Sequence, residues 1–188
     1  MRIVEIPVLG RPLVGKTTVL LRAREVFGGH LQLLEFRLEV DDAFRGQSCR
    51  LAALHVQTES AHGQLWCVPG GSAPEWIVPL LPQDSPAVFV FDGQEGLQAE
   101  QREWFDAQAP HVDLSRSVAI VTKADLPRCV SPEEAIPPAL RDRPFISIVA
   151  RDPRCAAQVH RLLAENFDAF VRPANARPLQ ERAAWTGL

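Results

Sequence analysis

Ile3-Val4-Glu5-Ile6-Pro7-Val8-Leu9, followed at once by Gly10-Arg11-Pro12-Leu13-Val14-Gly15-Lys16-Thr17, is a short apolar run that ends in the pattern G-x-x-x-x-G-K-[ST]. The spacing has a physical reason. Two glycines let the backbone curl until its N–H groups face phosphate oxygens, and the following helix adds the positive end of its dipole. In such a loop Lys16 reaches the outer phosphates and the Thr17 hydroxyl takes a place on Mg²⁺, with Gly10, Gly15 and Thr18 as further contacts. At average residue frequencies a chance match in a chain of 188 residues is on the order of 1 in 100. The context narrows it further, because Thr17-Thr18-Val19-Leu20 runs into Ala23, Val26 and Phe27 at helical spacing. A nucleoside phosphate is the expected ligand; the plainer alternative is a glycine turn between a strand and a helix.

Length and composition suit one domain, 1–171, with a flexible tail over 172–188. The 46% apolar and 23% charged content is ordinary for a globular chain. A net charge of −3 argues against a general nucleic-acid or membrane-surface binder, since neither polyanion is drawn to a mildly acidic surface. No apolar run approaches the roughly 20 residues that span a bilayer, and Met1-Arg2 leads into a strand instead of an apolar leader, so a cytoplasmic protein is expected. Cys49, Cys67, Cys129 and Cys155 are scattered, with no C-x-x-C pair and no grouped histidine; they read as reduced thiols.

Strand and helix patterns alternate along the chain. Strands are expected at Ile3–Leu9, Leu34–Val40, Cys49–Val56, Gln64–Val68, Ala87–Phe91, Val118–Val121 and Phe145–Val149. Cys49–Val56 and Gln64–Val68 are joined by a polar turn, which makes them a hairpin. Helices are expected at Lys16–Phe27, stopped by Gly28-Gly29, at Gln98–Gln108, at a proline-interrupted Glu133–Leu140, and at a last helix striped by Ala156, Val159, Leu163, Phe167 and Phe170. The alternation implies an α/β fold: a mostly parallel sheet covered by helices on both faces, one strand antiparallel in the hairpin, and the ligand beyond the carboxyl ends of the strands.

Val121-Thr122-Lys123-Ala124-Asp125 ends one of the buried strands. A carboxylate there can accept hydrogens from guanine N1 and N2 together, which adenine does not offer, while the Lys123 stem covers the base face. With the phosphate loop in the right order, this segment resembles the [NT]-K-x-D motif of the Ras-like small GTPases, with Thr122 in the first place. Phe145–Ala150 is similar to the strand leading to that family's S-A-[KL] motif, so the resemblance gives Ala150 a backbone N–H for guanine O6, with Arg151 in place of the lysine. It implies a P-loop NTPase fold of three layers, GTP/GDP and Mg²⁺ as ligands, and GTP hydrolysis.

A third segment, Leu65-Trp66-Cys67-Val68-Pro69-Gly70-Gly71, stands where most of these GTPases carry D-x-x-G. Its V-P-G form is similar to the bacterial MglA-type polarity GTPases, whose added strand near the switch corresponds to Leu34–Val40. That resemblance implies a Roadblock-type, MglB-like partner and a part for Gly70 in sensing the γ-phosphate. Three departures stand out. Cys67 replaces the aspartate, Gly71 replaces the glutamine that orients water, and Pro12 replaces a loop glycine, removing an N–H. Between Val40 and Arg50 the one hydroxyl is Ser48. Arg45 lies where MglA-type proteins carry a charge-stabilising arginine, or is a solvated loop charge. Asp42, with Asp41, supports Mg²⁺ through water or only caps a turn. Trp76 and Ile77, on an expected second-switch helix, face a partner or pack on the sheet.

Weak hydrolysis is therefore expected. A GTP-dependent switch, a guanine-nucleotide scaffold without catalysis, and a P-loop kinase or ATPase remain the three readings; the last lacks a visible lid arginine or acceptor pocket.

Overall fold

The computed structural model describes residues 3–27, 31–38, 47–57, 62–67, 81 and 84–171. Seven strands form one sheet in the order β2-β3-β4-β1-β5-β6-β7. They are β1 (Ile3–Leu9), β2 (Leu31–Leu38), β3 (Gln47–Gln57), β4 (His62–Cys67), β5 (Val88–Asp92), β6 (Val118–Thr122) and β7 (Phe145–Ser147). β3 is antiparallel to both β2 and β4, and the other pairings are parallel, so β3 runs against the remaining six strands. This is the expected mostly parallel sheet with one antiparallel hairpin strand. The helices are α1 (Lys16–Phe27), α2 (Ala99–Gln108), α3 (Pro132–Ala135) and α4 (Ala156–Val171).

Period-two alternation sorts the strand residues onto two faces. Ile6, Val8, Val88, Val90, Val118 and Ile120 join Leu20 of α1 and Val159, Leu163, Phe167 and Phe170 of α4 in one core. Leu9, Phe89, Phe91, Ala119 and Val121 join Phe105 of α2 with Ile136 and Leu140 in the other. The central strands β5 and β6 are buried at every position, as strands covered on both sides must be. The stripe read from sequence on the last helix is buried throughout its length.

Five elements differ from expectation by two residues or more; β3 and β4 begin at Gln47 and His62, two residues before the expected Cys49 and Gln64. β2 begins at Leu31, three residues before the apolar alternation, because Leu31, Gln32 and Leu33 pair with Leu54, Ala53 and Ala52 of β3. β7 stops at Ser147 because the chain turns back, with the Asp152 N–H donating to the Val149 carbonyl at 2.8 Å. The expected helix Glu133–Leu140 divides into α3, opened by a Ser131/Glu134 capping box, and a single turn at Pro138–Leu140. Ile136 precedes Pro137 and is extended, since a following proline disfavours the helical conformation. Asp41, Asp42, Arg45, Gly70, Gly71, Trp76, Ile77, the second-switch helix and the tail 172–188 lie outside the described residues.

A short turn before β6 is fastened by one carboxylate. Asp113 accepts from the Ser115 N–H at 2.9 Å and from the Arg116 Nε at 2.6 Å, and Arg116 in turn donates to the Asp84 carbonyl. Burial pushes the Asp113 carboxyl up, but the hydrogen bonds from Ser115 and Arg116 and the arginine charge outweigh it and hold the group below its ordinary 3.8. The resulting stability is present above that ordinary value and is lost as pH falls through the lower value of the folded protein. Asp113→Ala is expected to cost about 1–3 kcal/mol at neutral pH. Urea titrations at falling pH should show the gap to the parent protein closing in acid; a constant gap would assign the effect to packing.

Candidate functional site

The carboxyl ends of β1, β5, β6 and β7 meet on one rim of the sheet. At the end of β1 the chain enters the glycine loop. Gly10 has φ +142° and passes so close to β5 that a Cβ would lie 2.3 Å from the Val90 carbonyl oxygen. Gly15 has φ +99°. Between them Leu13 takes φ 63° with its side chain 88% exposed, a left-handed conformation that costs an L-residue about 1–2 kcal/mol. Leu13 directly follows Pro12, the residue that removes an N–H from the loop. Gly10→Ala combines a backbone clash with a glycine-only φ and is expected to destabilise by roughly 2–6 kcal/mol. Denaturant unfolding measures this, and near-parent stability would mean that the loop need not press against β5.

Lys16 opens α1 and folds back over the loop. Its Nζ donates to the Gly10 carbonyl at 2.7 Å and to the Arg11 carbonyl at 2.7 Å. Burial lowers its pKa to about 8. Two backbone carbonyls therefore hold an ammonium that burial penalises, and an incoming anion would supply the charge it lacks. Thr17 is exposed and its Oγ1 lies 3.8 Å from the Cys67 Sγ at the end of β4. This puts Cys67 where the sequence reading placed the substitute for aspartate. Burial raises the Cys67 pKa despite Thr17 and Lys16, which leaves a neutral thiol. A hydroxyl oxygen suits Mg²⁺, whereas a neutral thiol does not. Among the described residues no group of three His, Cys, Asp or Glu side chains could hold a metal. Thr17 thus fits Mg²⁺ as one oxygen ligand and Cys67 does not; Asp42 lies outside the described residues. Ser48 falls within β3, its backbone paired with that of Arg37. Thr18 is half-buried and borders a groove on α1 with Leu21, Arg22, Arg24 and Glu25.

Arg11 points out of the loop to two carboxylates, Glu95 after β5 and Glu100 on α2, the second at 2.9 Å. The T-K-x-D segment begins at Thr122, the last residue of β6. Its buried hydroxyl donates to the Val14 carbonyl at 2.6 Å, with the Phe91 carbonyl at 3.2 Å as a second acceptor. Lys123 follows at φ 59° and pairs with Asp92, whose side chain is 3% exposed. Asp92 is itself held, its N–H donating to Gln101 Oε1 at 2.7 Å and its Oδ1 accepting from the Gln94 N–H at 3.0 Å. Asp125 is exposed on the rim. The Ala124 N–H donates to the Ile148 carbonyl at 3.3 Å, joining this segment to the turn that carries buried Ala150.

The described members of the expected set therefore share one rim: Gly10, Gly15, Lys16, Thr17 and Thr18 at one end, and Thr122, Lys123, Asp125 and Ala150 at the other. Arg11, Arg22 and Asp92 were not singled out from sequence. Asp92 left a signal, since it is the charge that ends the buried run Val88–Phe91 at the ligand end of a parallel strand. The two arginines left none, because an arginine on a loop or helix surface is ordinary.

A glycine loop closed by its own lysine and a T-K-x-D segment bonded to it, on a sheet of this order, define a P-loop GTPase-like α/β fold. No protein-family model matches the chain, and no curated protein matches it. Among solved structures, the chain is similar to Methanosarcina barkeri Roco2 RocCORdC bound to GDP, with 16% sequence identity and a TM-score of 0.49. The match covers 89% of this chain and 50% of that one, so this chain spans about half its length. No helix among the described residues is long and apolar enough to cross a membrane.

Proposed function

We propose that this protein binds guanine nucleotide and works as a slow GTP-dependent switch of the MglA-like type. The observation that carries the proposal is the 2.6 Å bond from Thr122 to the Val14 carbonyl, which ties the base-reading segment to the phosphate loop. Lys16 would then meet the outer phosphates, Thr17 a Mg²⁺ bound with them, Asp125 the guanine N1 and N2, and the Ala150 turn its O6. The γ-phosphate would order residues 41–48 and 70–78, with Gly70 as the sensing amide and Arg45 as a stabilising charge, and a Roadblock-type, MglB-like protein would act on the cycle. Added strand β2 fits that type.

The second reading, a scaffold that holds the nucleotide without turning it over, is favoured by Cys67. A neutral thiol beside Thr17 supplies no carboxylate to the metal shell, and losing one charge clamp in phosphoryl transfer costs roughly 10³-fold or more. Denaturing the purified protein, identifying the released nucleotide by chromatography and following Mg²⁺-dependent GTP turnover separates the readings. Guanine nucleotide with slow turnover, accelerated by a Roadblock-type protein, supports the switch. Guanine nucleotide that stays intact throughout supports the scaffold, and adenine nucleotide overturns both.

A further inference from the structure

Arg22 lies on α1, beyond the glycine loop. Its Nε donates to the Ala150 carbonyl at 3.0 Å and one terminal nitrogen to the Arg151 carbonyl at 3.0 Å, while the other pairs with Glu25 on the same helix. Its side chain is 16% exposed, so the fork is partly shielded from water. Those two carbonyls belong to the turn that follows β7. In a planar trans peptide the C=O and N–H point in opposite directions. Holding the Ala150 carbonyl toward α1 therefore turns the Arg151 N–H away from α1. The peptide before it is fixed too, since the Val149 carbonyl accepts from the Asp152 N–H at 2.8 Å, which sets the direction of the Ala150 N–H. Among the described residues neither the Ala150 N–H nor the Arg151 N–H has a partner, although Ala150 is only 8% exposed. An N–H without a protein partner on a buried residue such as Ala150 favours a ligand acceptor there, whereas Arg151 is an exposed residue. The turn is held beside Lys123 and Asp125 by the bond from Ala124 to Ile148.

We propose that Arg22 is a positioning residue that clamps the Ala150–Arg151 peptide from behind and thereby sets the discrimination for a purine that carries a carbonyl oxygen at its six-position. This rests on the guanine-nucleotide reading above. A planar fork is required because two carbonyls must be met at once; a lysine is a point charge and meets them one at a time.

The test compares GDP with 6-thioguanosine diphosphate on the full chain, as parent, Arg22→Lys and Arg22→Ala. The thio analogue keeps the N1 and N2 hydrogens for Asp125 and replaces only the six-oxygen with a poor acceptor. The parent is expected to favour GDP over the analogue by about tenfold or more, the worth of a well-placed hydrogen bond. Arg22→Ala should bring that ratio close to one, with most of the loss falling on GDP, and Arg22→Lys should lie between. Each ratio is taken on a single preparation, so a reduced folded fraction does not alter it. If both ligands weaken by the same factor and the ratio stays at the parent value, Arg22 is merely structural and the inference fails while the guanine reading stands. If the parent protein binds ADP as well as GDP, the guanine reading fails and takes the inference with it.

Discussion

Lys16→Ala is expected to abolish tight nucleotide binding. The ammonium sits 2.7 Å from both the Gly10 and the Arg11 carbonyl and is 7% exposed, so it is poised over the loop without being satisfied by water. Charge-assisted bonds to phosphate are worth about 1.5–3 kcal/mol each, and losing two of them weakens affinity roughly 10²- to 10⁴-fold. The substitution also removes the donor that draws the two carbonyls inward, so the loop loses its shape along with its charge. Titration with a fluorescent guanine diphosphate measures the effect directly. Retained tight binding would remove the assignment of residues 10–17 as a phosphate site.

Asp125→Asn is expected to transfer preference from guanine to xanthine nucleotides. In the proposed role the carboxylate would accept two hydrogens from guanine, whereas an amide would face the guanine N2 amino group with a donor at one of the two positions. Xanthine carries an oxygen there and restores the pair. The cost to GDP is roughly 10²-fold or more, a similar factor returns for xanthosine diphosphate, and competition between the two nucleotides reads both at once. Asp125 is exposed on the rim and makes none of the bonds that hold the loop, so this change leaves the fold alone. An unchanged preference for GDP would place base recognition on other residues.

The architecture was legible because its signals are periodic and local. Val88–Phe91 and Val118–Val121 alternate two faces within unbroken apolar runs, and the last helix carries its stripe over four turns. β2 was displaced at its start because pairing partners on β3, which the sequence does not announce, extend it beyond its own alternation. At the proposed site, the residues read from the sequence were those whose type is demanded by a short pattern: Gly10, Gly15, Lys16, Thr17, Thr122, Lys123 and Asp125. Those missed act across long sequence separations. Arg22 reaches Ala150, Arg11 reaches Glu95 and Glu100, and Lys123 reaches Asp92, and each partner becomes a neighbour only when the strands line up. Leu13 was missed for another reason, since nothing in a leucine signals a left-handed backbone. Reading Cys67 as the substitute for aspartate relied on counting back from Gly70; the structure sets the Cys67 Sγ 3.8 Å from the Thr17 hydroxyl.

The glycine loop is held from several directions at once: Gly10 against the Val90 backbone, Val14 by Thr122, Gly10 and Arg11 by Lys16, and the Arg11 side chain by Glu95 and Glu100. A nucleotide arriving at such a loop finds little left to rearrange. Its speed of capture would then be nearly the same for every purine that fits the rim, and selectivity would be written in residence time. Rapid mixing experiments should thus find variants such as Asp125→Asn changing how long a ligand stays far more than how fast it comes.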